Sequence, residues 1–220
     1  MIRLPRLYCI IDSPFFPTTS GVLAFADALA AAGCTLLQYR NKSGNARAML
    51  DQARELRRRF APLSQNPHPV AQSATRERQP KLIMNDRADL CLAADFDGVH
   101  VGQDDLSPES VRKIIGPDRW LGVSTHNPEQ LREADLTSAD YLAIGPVFAT
   151  SSKENPDPVV GLEGVRRARE LTRKPIVAIG GITRANAASV IEAGADSVAV
   201  ISDLVQEARK SAEEFLRILR

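Results

Sequence analysis

The sequence predicts an α/β fold, a (β/α)8 TIM barrel with parallel strands inside and helices outside. Three observations lead there. Short apolar runs alternate with helical patterns eight times along 220 residues. The runs are apolar on successive residues, as strands buried on both faces must be. Polar residues able to do chemistry gather just after the runs, where the strand-to-helix loops of such a barrel build its active site. An open doubly wound sheet is the alternative; it loses ground because no G-x-G-x-x-G follows the first run.

In chain order, strands are expected at LYCII (7–11), TLLQY (35–39), KLIMN (81–85), GVHV (98–101), LGVS (121–124), YLAIG (141–145), PIVAI (175–179) and SVAVI (197–201). Helical patterns lie between and after them: LAFADALAAAG, ARAMLDQARELRRRF, PESVRKII, PEQLREA, EGVRRARELT, RANAASVIEAG and LVQEARKSAEEFLRIL. Two helix starts are chemically explicit. Ser107 is a cap with Pro108 at the first helical position, and Asn127 repeats the arrangement with Gln130 completing a capping box. One segment, 61–80, is rich in Pro, Gln and Ser without periodicity, and reads as a flexible insertion between the second helix and the third strand. A helix-to-strand connection lies at the barrel face away from chemistry, so the insertion is expected to leave catalysis untouched, with His68, Arg76 and Arg78 solvated on it.

With 44% hydrophobic and 25% charged residues, the chain suits one globular domain over 1–220. A net charge of +1 gives no field that would draw it to nucleic acid or an anionic membrane, so any anion recognition must be local. Cys9, Cys34 and Cys91 are scattered without CxxC spacing, which argues against a disulfide framework or zinc site. No apolar run is long enough to span a bilayer and the N-terminus lacks a signal-peptide pattern, so a soluble, cytoplasmic protein is expected. The sequence does not fix an oligomeric state, and a homo-oligomer is compatible with it.

The rim residues define the chemistry. Alternation puts Gln38 and Arg40 on one side of the second strand, and Lys42 continues the row. NDR follows the third strand, GQDD the fourth, STH the fifth, GGI the seventh and ISD the eighth. After the sixth runs a long polar loop carrying Lys153. Arg40, Lys42 and Lys153 can reach one mouth, where Asp86 and Asp105 could share a hard divalent ion; magnesium takes one or two carboxylates and completes its shell with water and substrate phosphates. Cations plus Mg²⁺ suggest a diphosphate. GGI (180–182) with Ile201 and Ser202 suggests a second anion site built from backbone N–H groups. Each signal also has a plain structural alternative: Asp86 as a helix cap, Arg40 and Lys42 as solvated charges, GGI as a turn before a capping Thr183, and His126 as a structural or peripheral group.

QYRNK, NDRADL, DGVHVGQDDL, GVSTH, GPVFATSSKENPDPVVGLEG, AIGGIT and SVAVIS together resemble the thiamine-phosphate synthase family, from the first strand to the last helix. The resemblance implies a transferase that couples 4-amino-2-methyl-5-hydroxymethylpyrimidine diphosphate to a thiazole phosphate, giving thiamine phosphate and pyrophosphate. It implies that Asp86 and Asp105 ligate Mg²⁺, and that Gln38, Arg40, Lys42, Asn85, Ser124 and Lys153 hold the pyrimidine diphosphate, with Lys153, Arg40 and Ser124 acting in catalysis. Thr150, Ser152, Gly181, Ile201 and Ser202 would hold the thiazole phosphate. The long loop after the sixth strand would act as a lid that excludes water from a carbocation. Asn41 stands where the family commonly has an acid, Ser152 where it has threonine, and CIIDSPFF replaces a more frequent first loop. A related thiazole tautomerase shares the fold and His126, but that branch typically loses the second metal aspartate, and both are present here. A silent barrel that binds a phosphorylated metabolite is the non-enzymatic alternative, against which the metal pair and Lys153 count.

Overall fold

The computed structural model describes residues 2–60, 79–150 and 157–220. Its eight strands are β1 (Leu7–Asp12), β2 (Leu36–Arg40), β3 (Lys81–Asn85), β4 (Gly98–Val101), β5 (Trp120–Thr125), β6 (Tyr141–Ile144), β7 (Ile176–Ile179) and β8 (Ser197–Val200). All neighbouring pairs are parallel and β1 pairs with β8, which closes the barrel and rules out the open sheet. Outside it, in chain order, lie α1 (Thr19–Ala31), α2 (Ala46–Arg59), α3 (Ala88–Ala93), α4 (Pro108–Ile115), α5 (Pro128–Asp135), α6 (Gly161–Leu171), α7 (Ala187–Glu192), α8 (Ser202–Val205) and α9 (Ala208–Ile218). No helix among the described residues is long and apolar enough to cross a membrane.

The caps behave as their sequences require. Ser107 accepts the Ser110 N–H at 3.3 Å and Asn127 accepts that of Gln130 at 2.9 Å. Gln130 Oε1 reaches back not to the cap but one residue further, taking the His126 N–H at 2.8 Å. Of the insertion, only Gln79 and Pro80 fall within the described residues; 61–78 lie outside them.

Alternation along each strand sorts side chains into two cores. One set, including Leu37, Met84, Val99, Leu121, Leu142 and Val198, packs outward against the helices. The other, including Tyr8, Ile10, Leu36, Ile83, Tyr141, Val177 and Ala199, fills the barrel interior. Gly122 sits in this interior row, in register with His100 on one side and Tyr141 on the other. A Cβ there would lie 2.2 Å from Tyr141 Cζ and 2.4 Å from His100 Nδ1, so the missing side chain is what admits both rings.

At the N-terminal face one device recurs three times. An aspartate just before an even strand donates its N–H to the first or second residue of the preceding strand, accepts that residue's N–H on its carboxylate, and is held by a helix arginine. Asp97 does so with Leu82 and Arg57, Asp140 with Leu121 and Arg112, and Asp196 with Ile176 and Arg169. The charged contacts span 2.7–2.9 Å. Thr35 holds the equivalent place before β2.

Candidate active site

The opposite, C-terminal face opens into a cavity of about 490 Å³, the size of a small-molecule site. On the side of β2 to β5, Arg40 closes β2 and pairs with buried Asp12 at 2.6 Å. Lys42 pairs with Asp86 at 3.2 Å. Asp86 follows β3 in the left-handed region, at φ +63°, a conformation aspartate tolerates better than most residues; its N–H bonds the His100 carbonyl at 2.8 Å and ties the ends of β3 and β4 together. Asp86 is no helix cap, because α3 starts after Arg87 without any side-chain cap. Arg40 and Lys42 are likewise not merely solvated charges, since both line the cavity and are ion-paired there.

Burial, and then the neighbouring charge of Asp105, hold the Asp86 carboxyl above the usual carboxylate range, with Lys42 opposing. Asp105 accepts the Gly102 N–H at 2.7 Å. Among the described lining residues, the carboxylates of Asp86, Asp104, Asp105 and Asp157 outnumber the permanent cations Arg40 and Lys42. Such a mouth disfavours a diphosphate unless a further cation joins it. The described residues contain no cluster of three or more metal-ligating side chains, but a pair of carboxylates is what Mg²⁺ requires when substrate phosphates and water supply the rest. The two aspartates therefore fit the ion.

Ser124 projects from β5 with its Oγ 2.8 Å from His100 Nε2, while its carbonyl accepts from Gln103 Nε2 at 2.6 Å. Burial pushes the His100 imidazole down to about 4, so it is neutral at physiological pH.

On the β7 and β8 side, Gly180, Gly181, Ile182, Ile201 and Ser202 line the same cavity, joined by Thr150. Gly181 has φ +62°, and a Cβ on it would lie 2.4 Å from the Ala149 carbonyl. The glycine thus admits the loop after β6. Thr183 does not cap the following helix: Asn186 holds the turn, accepting the Thr183 N–H at 2.8 Å and donating to the Gly181 carbonyl at 3.0 Å. His126 lies with its Nδ1 2.7 Å from the Gly145 carbonyl, and it is not peripheral, for it lines the cavity beside Asp157.

Arg40, Lys42, Asn85, Asp86, Asp105, Ser124, Thr150, Gly181, Ile201 and Ser202 thus meet at one cavity, as expected from their positions after the strands. Gln38 does not line it; the side chain is buried below, donating to Tyr8 Oη at 2.9 Å. Ser152 and Lys153, and with them the lid expectation, lie outside the described residues. His100, Gln103 and Asp12 were not singled out from sequence. The signal for His100 was available: it is the one polar residue at an inward position of an otherwise apolar strand, two residues before Gly102.

A family model described as thiamine monophosphate synthase matches residues 69–204. A thiamine-phosphate synthase from Koribacter versatilis is 56% identical over 99% of this chain and 97% of its own. One from Xanthobacter autotrophicus is 41% identical over 97% of this chain and 93% of its own. Among solved structures, a thiamine phosphate pyrophosphorylase from Pyrococcus furiosus superposes with a TM-score of 0.79 at 34% identity, covering 97% of this chain and 95% of that one. None of these three carries the name of a tautomerase or a non-catalytic binding barrel. Likeness of this degree, over nearly the whole chain, means that the chain belongs to the thiamine monophosphate synthase family.

Proposed function

We propose that this protein couples 4-amino-2-methyl-5-hydroxymethylpyrimidine diphosphate to a thiazole phosphate, releasing pyrophosphate and giving thiamine phosphate. Family membership supports the reaction. The observation that carries the residue assignment is that one cavity spans both a charged side at β2 to β5 and a glycine-rich side at β7 and β8, so that two anionic substrates can meet end to end.

In this scheme the pyrimidine C–O bond breaks first and its electron pair leaves with pyrophosphate. The resulting carbocation is stabilised by the ring's own amino group, and the thiazole nitrogen lone pair then forms the C–N bond. Arg40 and Lys42 neutralise charge as it grows on the leaving group, held in place beforehand by Asp12 and Asp86. Lys153 joins them by family resemblance. Asp86 and Asp105 would hold Mg²⁺, which when bound supplies positive charge against the diphosphate oxygens. Asn85 and Ser124 orient the pyrimidine diphosphate. Gln38, beneath the cavity floor, contributes indirectly. Thr150, Ser152, Gly181, Ile201 and Ser202 hold the thiazole phosphate. No side chain has to act as a covalent nucleophile.

The test is to incubate the purified protein with both substrates and Mg²⁺ and to follow thiamine phosphate and pyrophosphate together. Equal amounts of the two are expected. Isomerised thiazole phosphate alone, or no product at all, would overturn the proposal.

A further inference from the structure

The barrel interior contains a chain of polar side chains that the reaction scheme leaves unused. Gln38 Nε2 donates to Tyr8 Oη at 2.9 Å. Tyr8 Oη lies 3.1 Å from Tyr141 Oη, Tyr141 Oη 3.2 Å from His100 Nδ1, and His100 Nε2 2.8 Å from Ser124 Oγ. The rings of Tyr8 and Tyr141 meet edge to face at 6.1 Å, and the fold leaves out a side chain at Gly122 to let Tyr141 and His100 approach. An interior of Phe and Val would fill the same space without the cost of burying four polar groups.

We propose that Gln38, Tyr8, Tyr141 and His100 form a one-way hydrogen-bond relay whose role is to make the Ser124 hydroxyl a donor toward the cavity. The direction follows from counting protons. A primary amide nitrogen donates and cannot accept, so Tyr8 Oη is an acceptor toward Gln38, and giving its own proton to Tyr141 is the order that leaves neither buried hydroxyl proton without an acceptor. Tyr141 then has only His100 Nδ1 left to donate to. A neutral imidazole that accepts at Nδ1 carries its proton on Nε2, which donates to Ser124 Oγ. The Ser124 hydroxyl, satisfied as an acceptor, turns its proton to the cavity, where a developing negative charge would receive it. Tyr8, Tyr141 and His100 are positioning residues in this arrangement. That Ser124 donates to a departing pyrophosphate rests on the function proposed above; the order of the protons does not.

The decisive measurement is the ¹⁵N spectrum of the histidine ring nitrogens in the substrate-free, full-length protein at neutral pH. The chain has three histidines, so His68→Gln and His126→Gln variants assign the third. The relay requires a bare Nδ1 and a protonated Nε2 on His100; a proton on Nδ1, or on both nitrogens, overturns it. Gln38→Glu supplies an acceptor where the amide donated, so each bond should reverse and the His100 proton should move to Nδ1, three side chains away. An unchanged tautomer in that folded variant also overturns the relay. Tyr8→Phe should lower kcat roughly five- to tenfold, about the worth of one oriented neutral hydrogen bond, with KM for both substrates held within about twofold. A parallel rise in KM with kcat intact would mean that the tyrosine only shapes the pocket. Because the tautomer is read without substrate, an inactive protein would count against the function and leave the relay to be judged on the ring nitrogens.

Discussion

The two ends of the barrel use the same residue types for opposite purposes. At the N-terminal face Asp97, Asp140 and Asp196 each have a backbone N–H and an arginine on the carboxylate, and every charge is answered within the chain. At the C-terminal face Asp86 and Asp105 face each other, and the burial and repulsion that raise the Asp86 pKa are only partly offset by Lys42. One end has its electrostatics settled by folding; the other keeps them open for ligands. A carboxylate alone therefore says little. What separates scaffold from site is whether the chain itself completes the hydrogen bonds.

That contrast can be broken deliberately. The largest effect is expected at the open end: Asp86→Asn, which keeps the left-handed backbone accessible, should cost about 10²-fold or more in kcat/KM, the scale of losing a preorganised charge-stabilising element. Pyrophosphate release measures it, and a loss under threefold would remove Asp86 from the site. At the closed end, Asp140→Ala strands the Leu121 N–H and one arm of Arg112. It should destabilise the fold by about 2 kcal/mol, which for a chain of this size lowers Tm by roughly 4–8 °C, while kcat stays unchanged. A drop in activity without a drop in Tm would invert the assignment of the two faces.

A subtler expectation concerns Asp86 and pH. Its folded pKa is raised, so the folded state binds the proton more tightly than the unfolded one, and stability falls as pH rises through the carboxylate range. At neutral pH the metal-free Asp86→Asn protein should therefore melt above the parent, and the gap should close on acidification below the ordinary aspartate pKa. Calorimetry across pH decides this; a variant that melts lower at neutral pH contradicts it. The smallest effect belongs to the insertion. Exchanging 63–79 for a short Gly/Ser linker should alter kcat by less than about twofold, because Phe60 at the end of α2 and Lys81 at the start of β3, which bracket it, lie at the face away from the cavity.

Much of this was legible in the sequence, for identifiable reasons. Eight apolar runs announce eight strands because parallel strands are buried on both faces, and ten of the predicted site residues reach one cavity because a barrel strand delivers whatever follows it to the same rim. The strand ends shifted by a residue, as β2 shows by running 36–40 rather than 35–39. The three aspartate locks were not legible: Asp97, Asp140 and Asp196 read as loop charges until the paired backbone is in place, and they recur at unequal spacings. Gln38 was placed correctly on the inward face but too high, since alternation gives a side chain its face and not its depth. The interior relay escaped because Tyr8 and Tyr141 look like ordinary core aromatics in sequence.

The thrice-repeated lock also has a consequence for how the barrel breathes. Three of its four two-strand quarters are closed at the base by a carboxylate; the remaining one, β1 with β2, has Thr35 in that place, with no carboxylate to offer. Resistance to local opening is thus distributed unevenly round the ring, and amide hydrogens at the base of β1 and β2 should exchange with solvent before those of Leu82, Leu121 and Ile176. That order of exchange would mark a seam in the cylinder, with transient opening expected to begin there rather than at the cavity rim.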